Sequence, residues 1–147
     1  MAKLNLDRVK GHYVETIKAD KEYENGSLVG KGLLEDGEIR LYKAAEATAE
    51  NCFLVSTPEL DLAAKANGHG SIDFVNPKGS IMRAHQLEVG DTFTVEQKLH
   101  GTGFVAGDAL TVTGGKFAKG EGAFVVEYVT TIGADRRPAY SIRKVKQ

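Results

Sequence analysis

Tryptophan is absent from this chain, cysteine occurs once and proline three times. With a single thiol, Cys52, no intramolecular disulfide can form. Its place in the apolar run CFLV marks it as a small buried hydrophobe rather than a reactive group. No apolar stretch approaches the roughly 18 residues that a membrane-crossing helix needs. The opening MAKLNLDRVK lacks the apolar core of an export signal. These absences predict a protein made and folded in a cytoplasm, with no membrane partner and no covalent staple. At 147 residues it has the size of one domain, 1–147, large enough to be stable on its own core.

A strong charge of either sign is also missing. The formal net charge is −1, which leaves no global field to hold a polyanion, so nucleic acid is not an expected partner. The distribution is uneven, however. Arg136, Arg137, Arg143, Lys144 and Lys146 fall in residues 136–147 with no acid among them, a local charge of +5 against −6 for the rest. A solvated terminal strand is the expected reading of that basic end.

Glycine, by contrast, is plentiful at 17. Without accompanying proline, and spread along the chain, it indicates many tight turns. Between the turns most segments alternate apolar and polar residues with period two, and almost none sustains the helical period. Residues 10–18, SLVGKGLLE, EIRLYKAA, CFLVS, SIMRAHQLEV, TFTVEQKL, GTGFVA, ALTVT, KFAKG, AFVVEYVTTIG and AYSIRKV all read as strands. Asn25-Gly26 reads as a hairpin turn. AAEATAEN (44–51) is a short helix or loop, and 59–70 either a helical turn or a long loop. The expected fold is mainly β: a small sandwich or barrel of about ten short strands, one or two short helical turns and extended termini.

One phrase occurs twice. Gly90-Asp91-Thr92-Phe93-Thr94-Val95 returns as Gly107-Asp108-Ala109-Leu110-Thr111-Val112. Neither copy brings a base, metal ligand or second acid near its aspartate. Each therefore reads as a way of entering a strand: a glycine at positive φ, an aspartate capping the turn through its side chain, then alternation.

Motifs of chemistry are otherwise sparse. GSLVGKG (26–32) has the wrong spacing for a phosphate loop and no Ser or Thr after its lysine, and no helix follows GTGFVAG (101–107). His12, His69, His85 and His100 stand far apart, and His69 with Asp73 lacks a third metal ligand. No nucleophile elbow is present. The neighbours in GHGSID cannot form a relay among themselves. Asp61, Asp73 and Asp91 are separate carboxylates that only the fold can pair. The expectation is a non-enzyme without catalytic residues, cofactor or metal.

One longer order of phrases is informative: ENGSLV, an acidic turn, EIRLYKA, FLVSTPELDL, then DFVNPKGSIMRAHQLEVGDTFTVE and a glycine-rich meander containing TGGKFAKG. The spacing of Asn76, Gly79, Arg83, Leu87, Gly90, Asp91 and Phe93 after a VSTPE segment resembles that of the small head-decoration, or cement, proteins of tailed bacteriophages. The resemblance implies a mainly β structural virion protein without activity. Such a protein sits on the capsid surface, binds the major capsid protein, and stabilises the shell as a homo-oligomer with a trimer favoured. It implies synthesis in a bacterial cytoplasm. A tail or connector component on a similar domain, or a small barrel binding nucleic acid or carbohydrate, is the alternative.

In that reading the period-two termini, residues 1–12 and 136–147, are candidate arms that add strands to a neighbour. Leu4, Leu6, Val9, Tyr140, Ile142 and Val145 are then the candidate contact residues. Two ordinary edge strands of the same barrel are the competing expectation for these segments.

Overall fold

The computed structural model describes residues 4–9, 14–57, 75–133 and 136–146. Among the described residues, eleven strands and one short 3-10 turn, Gln97–Leu99, make up the regular elements. Six strands form an antiparallel sheet in the order β1 (Leu4–Arg8), β7 (Thr92–Glu96), β11 (Arg137–Lys144), β10 (Phe124–Ile132), β8 (Ala109–Thr113), β9 (Lys116–Lys119). The other five close into a barrel: β2 (Val14–Lys18), β4 (Leu41–Ala45), β3 (Leu28–Leu34), β5 (Phe53–Val55), β6 (Ile81–Gln86), with β6 returning to β2. Every pairing is antiparallel except β2 with β4. The mainly β expectation holds, with both a barrel and a second sheet.

Alternation explains how the two units share one interior. In the first half of β3 and throughout β5 both faces are buried. Leu28 and Leu54 join the cluster of Phe93, Val95, Leu110, Phe117, Phe124, Tyr140 and Ile142 from the sheet. Their neighbours Val29, Phe53 and Val55 face the other way, into the barrel with Ile17, Met82 and Ala84. This is why CFLV carries no polar residue: a strand walled by apolar groups on both faces loses its alternation. Burying each such side chain contributes about 1.5–3 kcal/mol.

The repeated phrase enters two strands in one geometry. Gly90 and Gly107 lie at φ 98° and 91°, in the region glycine tolerates best. The Glu88 N–H donates to Asp91 Oδ2 at 2.8 Å, and the Val105 N–H donates to Asp108 Oδ2 at 2.8 Å. Each turn then grips one residue of a neighbouring strand. Gly90 N–H donates to Lys144 O (2.8 Å) and Asp91 O accepts from Lys144 N–H (3.0 Å); Gly107 and Asp108 hold Val126 at the same two lengths. In the β10–β11 hairpin, Phe124 opposes Lys144 and Val126 opposes Ile142. The matched grips are therefore related by an approximate two-fold axis through the hairpin, with β7 and β8 as equivalent flanks. The phrase is architectural.

Two local expectations change, and one open between helix and loop resolves to loop. Asn25-Gly26 does form a turn, with Gly26 at φ 95°, but it does not join a hairpin. β2 pairs with β6 and β4 instead of β3. The Asn25 side chain is buried, its amide donating to Thr57 O (2.8 Å) and its oxygen accepting from Thr57 N–H (3.1 Å). GTGFVA is not a strand. Gly101 and Gly103 take positive φ in a connecting loop, and Phe104 packs its ring 5.1 Å from Tyr140. AAEATAEN ends β4 and continues as a loop closed by Thr48 N–H donating to Asn51 O. Residues 59–70 lie outside the described residues, as do His12, Asp61, His69 and Asp73.

Candidate functional site

Within the two candidate arms, the described residues hold two strands of the sheet, β1 and β11. β1 is an edge strand, while β11 lies inside, between β7 and β10. Leu4, Tyr140 and Ile142 are each fully buried in the core. The Tyr140 hydroxyl donates to Gly101 O at 2.9 Å, and that fixes the loop after β7. Leu6 and Val9 pack half-buried against the same cluster, and Val145 is exposed. As folded, then, Leu4, Tyr140 and Ile142 are core positions, and Leu6, Val9 and Val145 are the three with surface to offer. The basic end is engaged within the chain: Arg137 with Glu96 (3.0 Å), Arg143 with Glu127 (3.3 Å), and Lys144 Nζ donating to Leu87 O (2.9 Å).

Large apolar groups do reach the surface at one end of the barrel. Leu33 and Ile39 are 82% and 83% exposed, Leu34 next to Leu33 is exposed too, and so is Val14 at the start of β2. A bulge in the β3–β4 pairing between Lys31 and Leu34 breaks the alternation and turns Leu33 outward. The chain then reverses through Glu35–Glu38, with Glu38 N–H donating to Glu35 O and Gly37 at φ 78°. β2 runs parallel to β4 from Thr16 opposite Leu41, with Val14 two residues before that pair. An apolar tip fringed by Glu35, Asp36 and Glu38 results. Two adjacent leucines before an acidic turn were the signal for it in the sequence, because strict alternation would have placed one of them in the core.

Titratable groups were also brought together. Ser56 Oγ contacts His85 Nδ1, joining β5 and β6 across 29 positions. Burial lowers the His85 pKa; the nearby Asp91 charge opposes that shift and Arg83 adds to it. Ser56 is buried at the end of a strand pair whose backbone it also continues, donating from N–H to Arg83 O (2.9 Å). This arrangement makes the pair a strand clasp. His100 is buried, with Nε2 on Gly26 O (2.8 Å) and Nδ1 accepting from the Phe117 N–H (3.3 Å). Burial pushes the Cys52 thiol up to about 12, which leaves it protonated and unreactive near neutrality. Among the described residues no group of three His, Cys, Asp or Glu side chains stands where it would hold a metal ion, and no helix is long and apolar enough to cross a membrane.

A cleft of about 470 Å³ opens where the barrel meets the sheet. Asp20, Tyr23, Glu46, Lys116 and the Gly114-Gly115 turn line it. The Tyr23 hydroxyl donates to Asp20 Oδ1 at 2.6 Å, and burial followed by that bond raises its pKa. Asp20 is engaged by that bond, and Lys21 Nζ stands 5.4 Å from the centre of the Tyr23 ring. The exposed hairpin end of the barrel is the strongest candidate contact surface. Compared with family models, curated proteins and solved structures, the chain finds no match.

Proposed function

We propose that this chain is a structural virion protein that binds the outer surface of a phage capsid and stabilises it as a homo-oligomer, with the major capsid protein as its partner. The observation that carries the reading is the apolar end of the β3–β4 hairpin, with Leu33, Leu34 and Ile39 exposed. A folded domain seldom leaves so many large apolar groups together in water unless another surface covers them. The phrase order resembling head-decoration proteins supplies the kind of partner. A cement protein works by multivalency: contacts weak in one subunit become strong when several linked subunits engage a lattice together.

Light scattering of the purified chain, followed by co-sedimentation with expanded empty phage capsids, tests the proposal. A trimer, or any form that sediments with capsids at a fixed ratio to capsid subunits, supports it. A monomer that ignores capsids and is retained on a DNA column overturns it.

A further inference from the structure

The outer face of the six-stranded sheet carries a groove of about 310 Å³, lined by Asp7, Thr92, Glu127, Tyr128, Ser141 and Arg143. Its construction is specific. β7 and β11 form the floor, where Thr92 opposes Arg143. Both walls are bulged: the β1–β7 register shifts between Asn5 and Arg8, and the β10–β11 register shifts between Val126 and Tyr128. A bulge re-aims side chains at a sheet surface, and bulges recur beside binding sites. Here the bulged segments contain an acid each, Asp7 on one side and Glu127 on the other.

Every group in the groove suits a polyhydroxylated ligand. Tyr128, opposite Ser141 in register, is 54% exposed and presents an aromatic face in mid-strand. Such a face packs against the C–H surface of a pyranose ring, an apolar contact with a polar rim. Arg143 holds Glu127 at 3.3 Å, and Thr94 Oγ1 donates to Asp7 Oδ2 at 2.6 Å, so both carboxylates are positioned before any ligand arrives. Planar carboxylate and guanidinium groups match vicinal hydroxyls in pairs, and the Thr92 and Ser141 hydroxyls lie between them. The volume is at the lower end for small-molecule sites and accommodates a pyranose unit. Two carboxylates against one guanidinium disfavour nucleic acid and other polyanions.

We infer that this groove is a binding site for neutral saccharides, independent of the apolar barrel end and on a different face. The test is a ¹H–¹⁵N NMR titration of the full chain with cellohexaose, maltohexaose and chitohexaose, each to millimolar concentration, with a short oligothymidylate as control. The expected result is saturable shifts at the amides of Thr92, Tyr128, Ser141 and Arg143 with at least one of the three sugars. Tyr128→Ala is expected to weaken that binding about tenfold, and Thr92→Val to weaken it less, while both retain the wild-type spectrum elsewhere. No shifts with any of the three sugars, shifts centred away from the groove, unchanged affinity in Tyr128→Ala, or preferential binding of the oligothymidylate would each overturn the inference.

Discussion

His100 Nε2 donates to the carbonyl oxygen of Gly26 at 2.8 Å, joining residues 74 positions apart and tying the sheet to the turn that leads into the barrel. The Phe117 N–H donates to the opposite ring nitrogen at 3.3 Å. These two partners assign the neutral Nε2–H tautomer, since a protonated ring would have no lone pair for Phe117.

Burial, aided by the Lys116 charge and opposed by the Gly26 bond, lowers the His100 pKa to about 4. The unfolded chain takes up this proton near 6.5, before the native state does. The stability it confers is therefore complete above pH 6.5 and lost as pH falls from 6.5 toward 4, a change of about 3 kcal/mol. Urea unfolding midpoints at intervals across that window check this. His100→Gln is expected to flatten the dependence while costing about 1–3 kcal/mol at pH 7.5.

At the barrel end, Leu33→Ser with Ile39→Ser is expected to abolish self-association or capsid binding while moving the unfolding free energy by no more than about 0.5 kcal/mol, because both side chains are already exposed. Light scattering and a thermal melt on the same sample separate the two effects. A substituted chain that still assembles normally removes this surface as the contact.

The two matched turns offer an internal control. Asp91→Ala and Asp108→Ala delete the same 2.8 Å bond to a backbone N–H. Asp91 is 1% exposed and Asp108 is half-buried, so the first substitution also empties a buried position. The expected cost is about 2–3 kcal/mol for Asp91 and clearly smaller for Asp108, measured by denaturant unfolding. Equal costs would mean that burial does not distinguish the two turns.

Gly122 has no left-handed backbone to explain it; its reason is proximity. A Cβ there would lie 2.3 Å from Leu110 O and 2.7 Å from Thr111 Cα, both backbone atoms that cannot swing aside. Gly122→Ala is expected to cost about 3 kcal/mol. Broadened amide resonances in β8 should accompany the loss, whereas Gly37→Ala, with open space around it at φ 78°, should cost about 1 kcal/mol and disturb no neighbour.

Local rules carried the strands well. Alternation marked Phe93, Val95, Leu110 and Val112 as one face, and the structure buries all four. The unbroken CFLV marked a strand enclosed on both sides. Pairing was hidden, since it depends on distant segments. Asn25-Gly26 has hairpin chemistry, yet the strand before it finds β6 and β4, because the buried Asn25 side chain binds the backbone of Thr57 instead. The Ser56–His85 contact and the bulged groove likewise join residues whose separation in sequence carries no motif. Leu4, Tyr140 and Ile142 alternated in a pattern that suits both a strand of the same domain and an arm that docks on a neighbour, and alternation alone does not choose between them; all three are buried in the core as folded.

The place of β11 has a consequence for how the molecule is made. Chains emerge from the ribosome amino end first, and β11 follows both strands it pairs with, β7 and β10. Until residues 137–144 appear, β1 with β7 and the trio β10, β8 and β9 are separate ribbons whose facing edges have backbone groups still unmatched. The final step is the insertion of one strand into a waiting slot. A slot of this kind fits the corresponding strand of a neighbouring copy in the same register as its own, but the tether gives the chain's own strand the higher effective concentration, so exchange of β11 between chains is expected only where synthesis is crowded.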